Sequence, residues 1–105
     1  YKAQVAALVE AGVDILLPET AIDTLNLKTC LFAISEYFRE GGRRVPVMAS
    51  GTFQKGRTFV SGQSVEAFWN AVSHFPLLTV GMNCAVGPAA MRPDLEELAK
   101  VATVG

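Results

Sequence analysis

One histidine and two cysteines are the whole stock of imidazole and thiol groups in these 105 residues. His74 alone cannot build a histidine-based catalytic set or metal cluster within the chain. Cys30 and Cys84 are too few for a disulfide framework, and they cannot close a structural zinc site, which takes four protein ligands. Clustered charge is equally scarce. Arg43-Arg44 is the only basic pair and the formal net charge is −1, so a nucleic-acid footprint is unsupported. No apolar run approaches the roughly 18 residues that a membrane span needs. No signal peptide opens the chain, because Tyr1-Lys2-Ala3-Gln4 leads straight into a helical pattern. The expected location is the cytoplasm, with neither membrane nor nucleic acid as partner. Hairpin signals are missing too, which leaves little room for an antiparallel sheet.

What remains is ordered and apolar. Half of the residues are hydrophobic, well above what a disordered segment carries. Val5, Leu8 and Val9 recur at helical spacing over residues 2–11, and Gly12 falls where that helix should end. Residues 14–20 read as a short strand, with Pro18 near its end, where a missing donor matters least. Asp23 or Thr24 suits the N-cap of a second helix, whose stripe of Leu27, Leu31, Ile34 and Phe38 should stop at Gly41-Gly42. Residues 45–50 form a second strand. Residues 53–63 show no periodicity and read as a long loop, a length often tied to function. Ser64 opens a third helix carrying Val65, Phe68, Val72 and Phe75, closed by Pro76. Residues 77–83 form a third strand, nearly all apolar as a strand covered on both faces would be. Residues 87–92 read as a turn, with Pro93 opening a last helix over residues 94–102.

The order α-β-α-β-α-β-α implies parallel strands joined by right-handed crossovers. A doubly wound sheet and a (β/α)8 barrel both fit, and three strands are too few for a closed barrel of about 250 residues. The chain starts on a helix and stops just after one. The expectation is therefore an α/β fragment of a TIM barrel, with residues 1–105 as one partial domain truncated at both ends.

Ligands gather at the carboxyl ends of parallel strands. Those ends carry Pro18-Glu19-Thr20, then Ser50-Gly51-Thr52, then Asn83-Cys84. A carboxylate, hydroxyls, a carboxamide and a thiol thus cluster at one edge of apolar strands. Cys84 has two readings, a small core residue or a nucleophile or metal ligand. Glu19 needs a partner or water wherever it lies. Asp23 reads first as a helix cap, Cys30 as core beside the apolar stripe, and Trp69 and the phenylalanines as core. Gly51 and Gly81 are places where a backbone and a ligand can approach closely, and loop geometry explains Gly51 just as well.

The residues at these strand ends also carry a likeness. Glu19-Thr20-Ala21-Ile22-Asp23-Thr24-Leu25-Asn26 with Leu31-Phe32-Ala33-Ile34, Ser50-Gly51-Thr52, Gly56-Arg57-Thr58, Ser61-Gly62-Gln63, Glu66-Ala67-Phe68-Trp69-Asn70, Gly81-Met82-Asn83-Cys84-Ala85-Val86-Gly87 and Arg92-Pro93 run in collinear order. Together they resemble the homocysteine-binding domain of the homocysteine S-methyltransferase family, on the cobalamin-dependent methionine synthase branch. The resemblance implies a barrel in which Cys84 is one of three cysteine ligands to zinc. The other two, an adjacent pair in a Gly-rich segment, are absent from this sequence. It implies that Glu19 receives the homocysteine amine, with Asn83, Ser50, Thr52 and Asp23 at the rim of the substrate pocket. It implies methyl transfer from methylcobalamin to homocysteine, giving methionine, with cobalamin-binding and methyltetrahydrofolate-binding domains of the full enzyme as partners. Two alternatives stay open: a betaine- or S-methylmethionine-using homocysteine methyltransferase, and a non-catalytic α/β fragment with Cys84 in its core.

Overall fold

Four helices and two short parallel strands follow one another along the computed structural model, which describes residues 1–56 and 58–105. Helix α1 spans Lys2–Glu10 and turns Val5 and Val9, one turn apart, into the core. Arg43 Nη2 donates to the carbonyls of Val9 (3.2 Å) and Val13 (2.7 Å), closing the end that Gly12 turns at φ 100°. Helix α2 spans Thr24–Arg39 and buries Leu27, Leu31 and Ile34. Strand β1 is Met48–Gly51, helix α3 Val65–Val72, strand β2 Thr79–Met82 and helix α4 Pro88–Val101. The strands pair in parallel, from Met48 opposite Thr79 to Gly51 opposite Met82.

The first expected strand, residues 14–20, is not a regular one. It runs beside β1 but meets it only at isolated bridges, Leu16 to Val47 and Ala21 to Gly51. The hydrogen bonds explain why. Leu16 N–H donates to Pro46 O (3.0 Å), Leu16 O accepts from Met48 N–H (2.9 Å), and Pro18 O accepts from Ser50 N–H (2.9 Å). Pro18 has no N–H to give back, so the ladder breaks there rather than ending cleanly. Pairing resumes with Ala21 N–H on Ser50 O (3.2 Å) and Thr52 N–H on Ala21 O (2.8 Å). Between the two bridges, residues 16–21 take five steps where residues 47–51 take four. Thr20 is the extra residue, a bulge with φ 54°. On the far edge, Val80 N–H donates to Gly105 O (2.8 Å), so segments beside the sheet follow chain order across it.

One face of the sheet is covered. Leu16, Val47, Ala49 and Val80 pack with residues of the helices, among them Val9, Leu31, Phe68 and Val72. The other face is largely bare, with Ile15 44% and Leu17 49% exposed. Among the described residues, no helix is long and apolar enough to cross a membrane.

One further expectation changes, and another gains detail. Helix α4 begins at Pro88, not after Pro93, with Gly87 extended as its N-cap and Gly87 O accepting from the N–H groups of Ala90 and Met91 (both 3.0 Å). Either proline suits a first helical position; Pro88 takes it, and Pro93 lies inside the helix. Residues 53–63 are the expected loop, with no helix or strand among the described residues, and hydrogen bonds brace it from within. Gln54 N–H bonds Thr58 O, Phe59 N–H bonds Gln63 O (both 2.9 Å), and Thr58 bridges Ser64 in antiparallel fashion. Phe53, Phe59 and Phe68 form a buried aromatic knot with centroids 4.4–5.6 Å apart. It lies against Gly51, where a Cβ would stand 2.7 Å from Phe59 Cζ, so packing rather than a ligand calls for that glycine. Arg57, in the middle of the Gly56-Arg57-Thr58 motif, lies outside the described residues.

Candidate functional site at the carboxyl edge of the sheet

Side chains alternate faces along a strand. Ser50, Gly81 and Asn83 therefore share the open face, with Glu19 on the same side of the neighbouring segment. Asn83 is the residue just past β2, and its N–H still pairs with Gly51 O (3.0 Å), which anchors its backbone. Its side chain then joins all three strand ends. Asn83 Oδ1 accepts from Ser50 Oγ (2.8 Å), from the Thr20 backbone N–H (3.2 Å) and, at the limit of reach, from the buried Thr52 Oγ1 (3.5 Å). Asn83 Nδ2 donates toward Thr20 Oγ1 (2.7 Å), Glu19 Oε2 (3.1 Å) and Cys84 Sγ (3.2 Å). Thr20 Oγ1 in turn donates to Glu19 Oε2. A backbone N–H can only donate, so the Thr20 contact fixes which end of the carboxamide is oxygen.

The backbone around the site is unusual. Thr20, Cys84 and Ala85 all have positive φ, at 54°, 60° and 54°, and none is glycine. Each such residue costs about 1–3 kcal/mol and persists where its surroundings over-determine it. At Thr20 the strained turn aims the N–H at Asn83 instead of at β1. At Cys84 the turn leaves an exposed free thiol within reach of the carboxamide before it.

Of the expected site residues, Glu19, Ser50, Thr52, Asn83 and Cys84 thus form one connected cluster. Asp23 stands apart. Its carboxylate accepts from Leu25 N–H (3.1 Å) and Asn26 N–H (3.4 Å) as the N-cap of α2. With Glu19 and Thr20, Asp23 lines a cleft of about 580 Å³ between α1, α2 and the bulged segment, walled by Leu8, Leu17 and Ile22. Asn83, Ser50 and Cys84 do not line that cleft, so the two features share only Glu19 and Thr20. Thr20 lies in the expected strand-end cluster but carries no assigned role there, and nothing in the sequence signals its turn, since a β-branched residue rarely takes positive φ. Cys30 is half-buried in α2, and burial pushes its thiol pKa up. His74 lies just past α3, exposed.

Among the described residues, Glu19 takes part in no ion pair, and its carboxylate is held only by neutral donors. No three or more His, Cys, Asp and Glu side chains among them converge as a metal site. The arrangement is a carboxylate and a thiol, both exposed, tied to one carboxamide at the carboxyl edge of a parallel sheet.

The carboxyl edge of a parallel sheet is where α/β proteins gather their ligands, and the polar groups of this α/β chain lie there. Sequence comparison is more specific. The family model for homocysteine S-methyltransferase matches residues 1–104, and the chain belongs to that family.

Proposed function

We propose that this chain forms part of a (β/α)8 barrel that binds homocysteine and presents its sulfur for methylation, in the manner of the cobalamin-dependent methionine synthase branch. The observation that carries the reading is the Glu19–Asn83–Cys84 chain of contacts. Homocysteine is an amine at one end and a thiol at the other. An exposed carboxylate without a cationic partner suits the ammonium, and a sulfur ligand site suits the thiol. The barrel reading is supported by segments that lie beside one another in chain order, with no reversal of the kind a doubly wound sheet makes.

Within this scheme Glu19 binds and orients the substrate amine, while Ser50 and Thr52 hold Asn83 from behind. Cys84 is one thiolate ligand of a zinc ion. The described residues do not complete that site, so the two remaining thiolates come from outside these 105 residues. Zinc bound there would lower the pKa of a coordinated thiol, so that the nucleophilic thiolate prevails at neutral pH. Methylcobalamin is the proposed donor, held with methyltetrahydrofolate by other domains of the full-length enzyme, in the cytoplasm.

The test uses the full-length protein. Cys84→Ser should lose stoichiometric zinc and methyl transfer together; full activity with zinc retained would reject the assignment. Offering methylcobalamin, betaine and S-methylmethionine in parallel identifies the donor, and turnover only with either of the latter two would reject the cobalamin branch.

A further inference from the structure

The resemblance offers Asn83 only as one more residue of the pocket rim. Its bonding capacity argues otherwise. The carboxamide oxygen has two lone pairs and already meets three protein donors, Ser50 Oγ, Thr20 N–H and Thr52 Oγ1. The amide nitrogen has two hydrogens and already faces three protein acceptors, Thr20 Oγ1, Glu19 Oε2 and Cys84 Sγ. Little remains with which to hold a substrate. Glu19 is the opposite case, because among the described residues only its Oε2 accepts a hydrogen bond.

We infer that Asn83 is a positioning residue: its carboxamide is a crosspiece that sets the Glu19 carboxylate and the Cys84 sulfur at a fixed separation, matched to the two ends of an amino thiol. This rests on the roles proposed above for Glu19 and Cys84. The crosspiece is braced at both ends. Its backbone is tied to Gly51 O, and its oxygen is gripped by the Thr20 bulge and the Ser50 hydroxyl. The left-handed turn at Cys84 brings Sγ back toward the same carboxamide. The bulge belongs to the same device: without the extra residue, the Thr20 N–H would continue the ladder to β1 instead of reaching Asn83.

A direct substrate contact and a positioning contact differ in how they combine with Glu19. Residues that act through one another are non-additive, and independent ones multiply. In the full-length protein, homocysteine affinity is measured by calorimetry for Asn83→Asp, Glu19→Gln and the double variant. Asn83→Asp keeps the shape and the acceptor oxygen but replaces the amide nitrogen and both its hydrogens with a second acceptor, and should weaken homocysteine by about tenfold. In the Glu19→Gln background the same change should weaken it by less than about twofold. Full multiplication of the two losses would overturn the positioning role while leaving Glu19 as amine ligand. Unchanged affinity in Glu19→Gln would instead overturn the functional reading itself. Should Asn83→Asp fail to fold, Ser50→Ala removes one brace and leaves the crosspiece. It should weaken binding by about two- to fivefold, again only when Glu19 is present. An equal loss in both backgrounds would overturn the inference.

Discussion

The two thiols of this chain have the same chemistry and opposite surroundings. Cys30 sits half-buried against the helical core, and burial raises its pKa, since the thiolate is the form that suffers from desolvation. Cys84 is exposed on a strained turn beside a carboxamide donor. Alkylation requires the thiolate. In metal-free full-length protein, iodoacetamide should therefore label Cys84 well before Cys30 near neutral pH. The gap should narrow as pH rises and Cys30 begins to ionise. Equal rates at neutral pH, followed by peptide mass spectrometry, would contradict this account. The type of residue at position 84 is plain from the sequence. Its accessibility is not, because an apolar run ending in Asn-Cys fits a buried cysteine equally well.

At the scale of elements, the caps and stripes were readable and the breaks were harder. Asp23 and Ser64 accept from the first-turn N–H groups of α2 and α3, as short polar residues before apolar stripes should. If Asp23 acts only as a cap, Asp23→Ala should lower stability by about 1 kcal/mol. Asp23→Asn, an equally good cap, should leave both the melting temperature and the homocysteine affinity unchanged. Weakened binding in Asp23→Asn at unchanged stability would show instead that the carboxylate meets the substrate. Helix α4 and the segment beside β1 show what the pattern leaves undecided. Two prolines five residues apart each suit a helix start, and only the surrounding packing selects Pro88. Pro18 announces a weak point in its strand, but not that the register slips by one residue at Thr20.

For the whole molecule the deciding feature is one-sidedness. The helices cover one face of the sheet and leave Ile15 and Leu17 in solvent on the other. Exposed apolar surface of this kind favours association. The 105 residues expressed alone should bind a hydrophobic dye and show concentration-dependent association in sedimentation velocity. A monodisperse monomer without dye binding would mean that this face is covered in solution. The barrel reading accounts for the same surface, because an open inner face is what the remaining strands of a barrel would close over.

The sequence by itself determined the four helices and two of the three expected strands, the helix caps, the apolar stripes and the collinear motifs of the homocysteine S-methyltransferase family. These are local or one-dimensional properties, set by side-chain period, by caps a few residues away and by motif order. The tertiary structure decided how the motifs act on one another. Glu19 and Asn83 are 64 residues apart in the chain and 3.1 Å apart at the site. Only pairing register brings them together, and that register depends on a proline that cannot donate and on a threonine forced into a left-handed turn. Cooperation between strand ends is a matter of geometry, and for that reason Asn83 reads as a rim residue in the sequence and as a crosspiece in the fold.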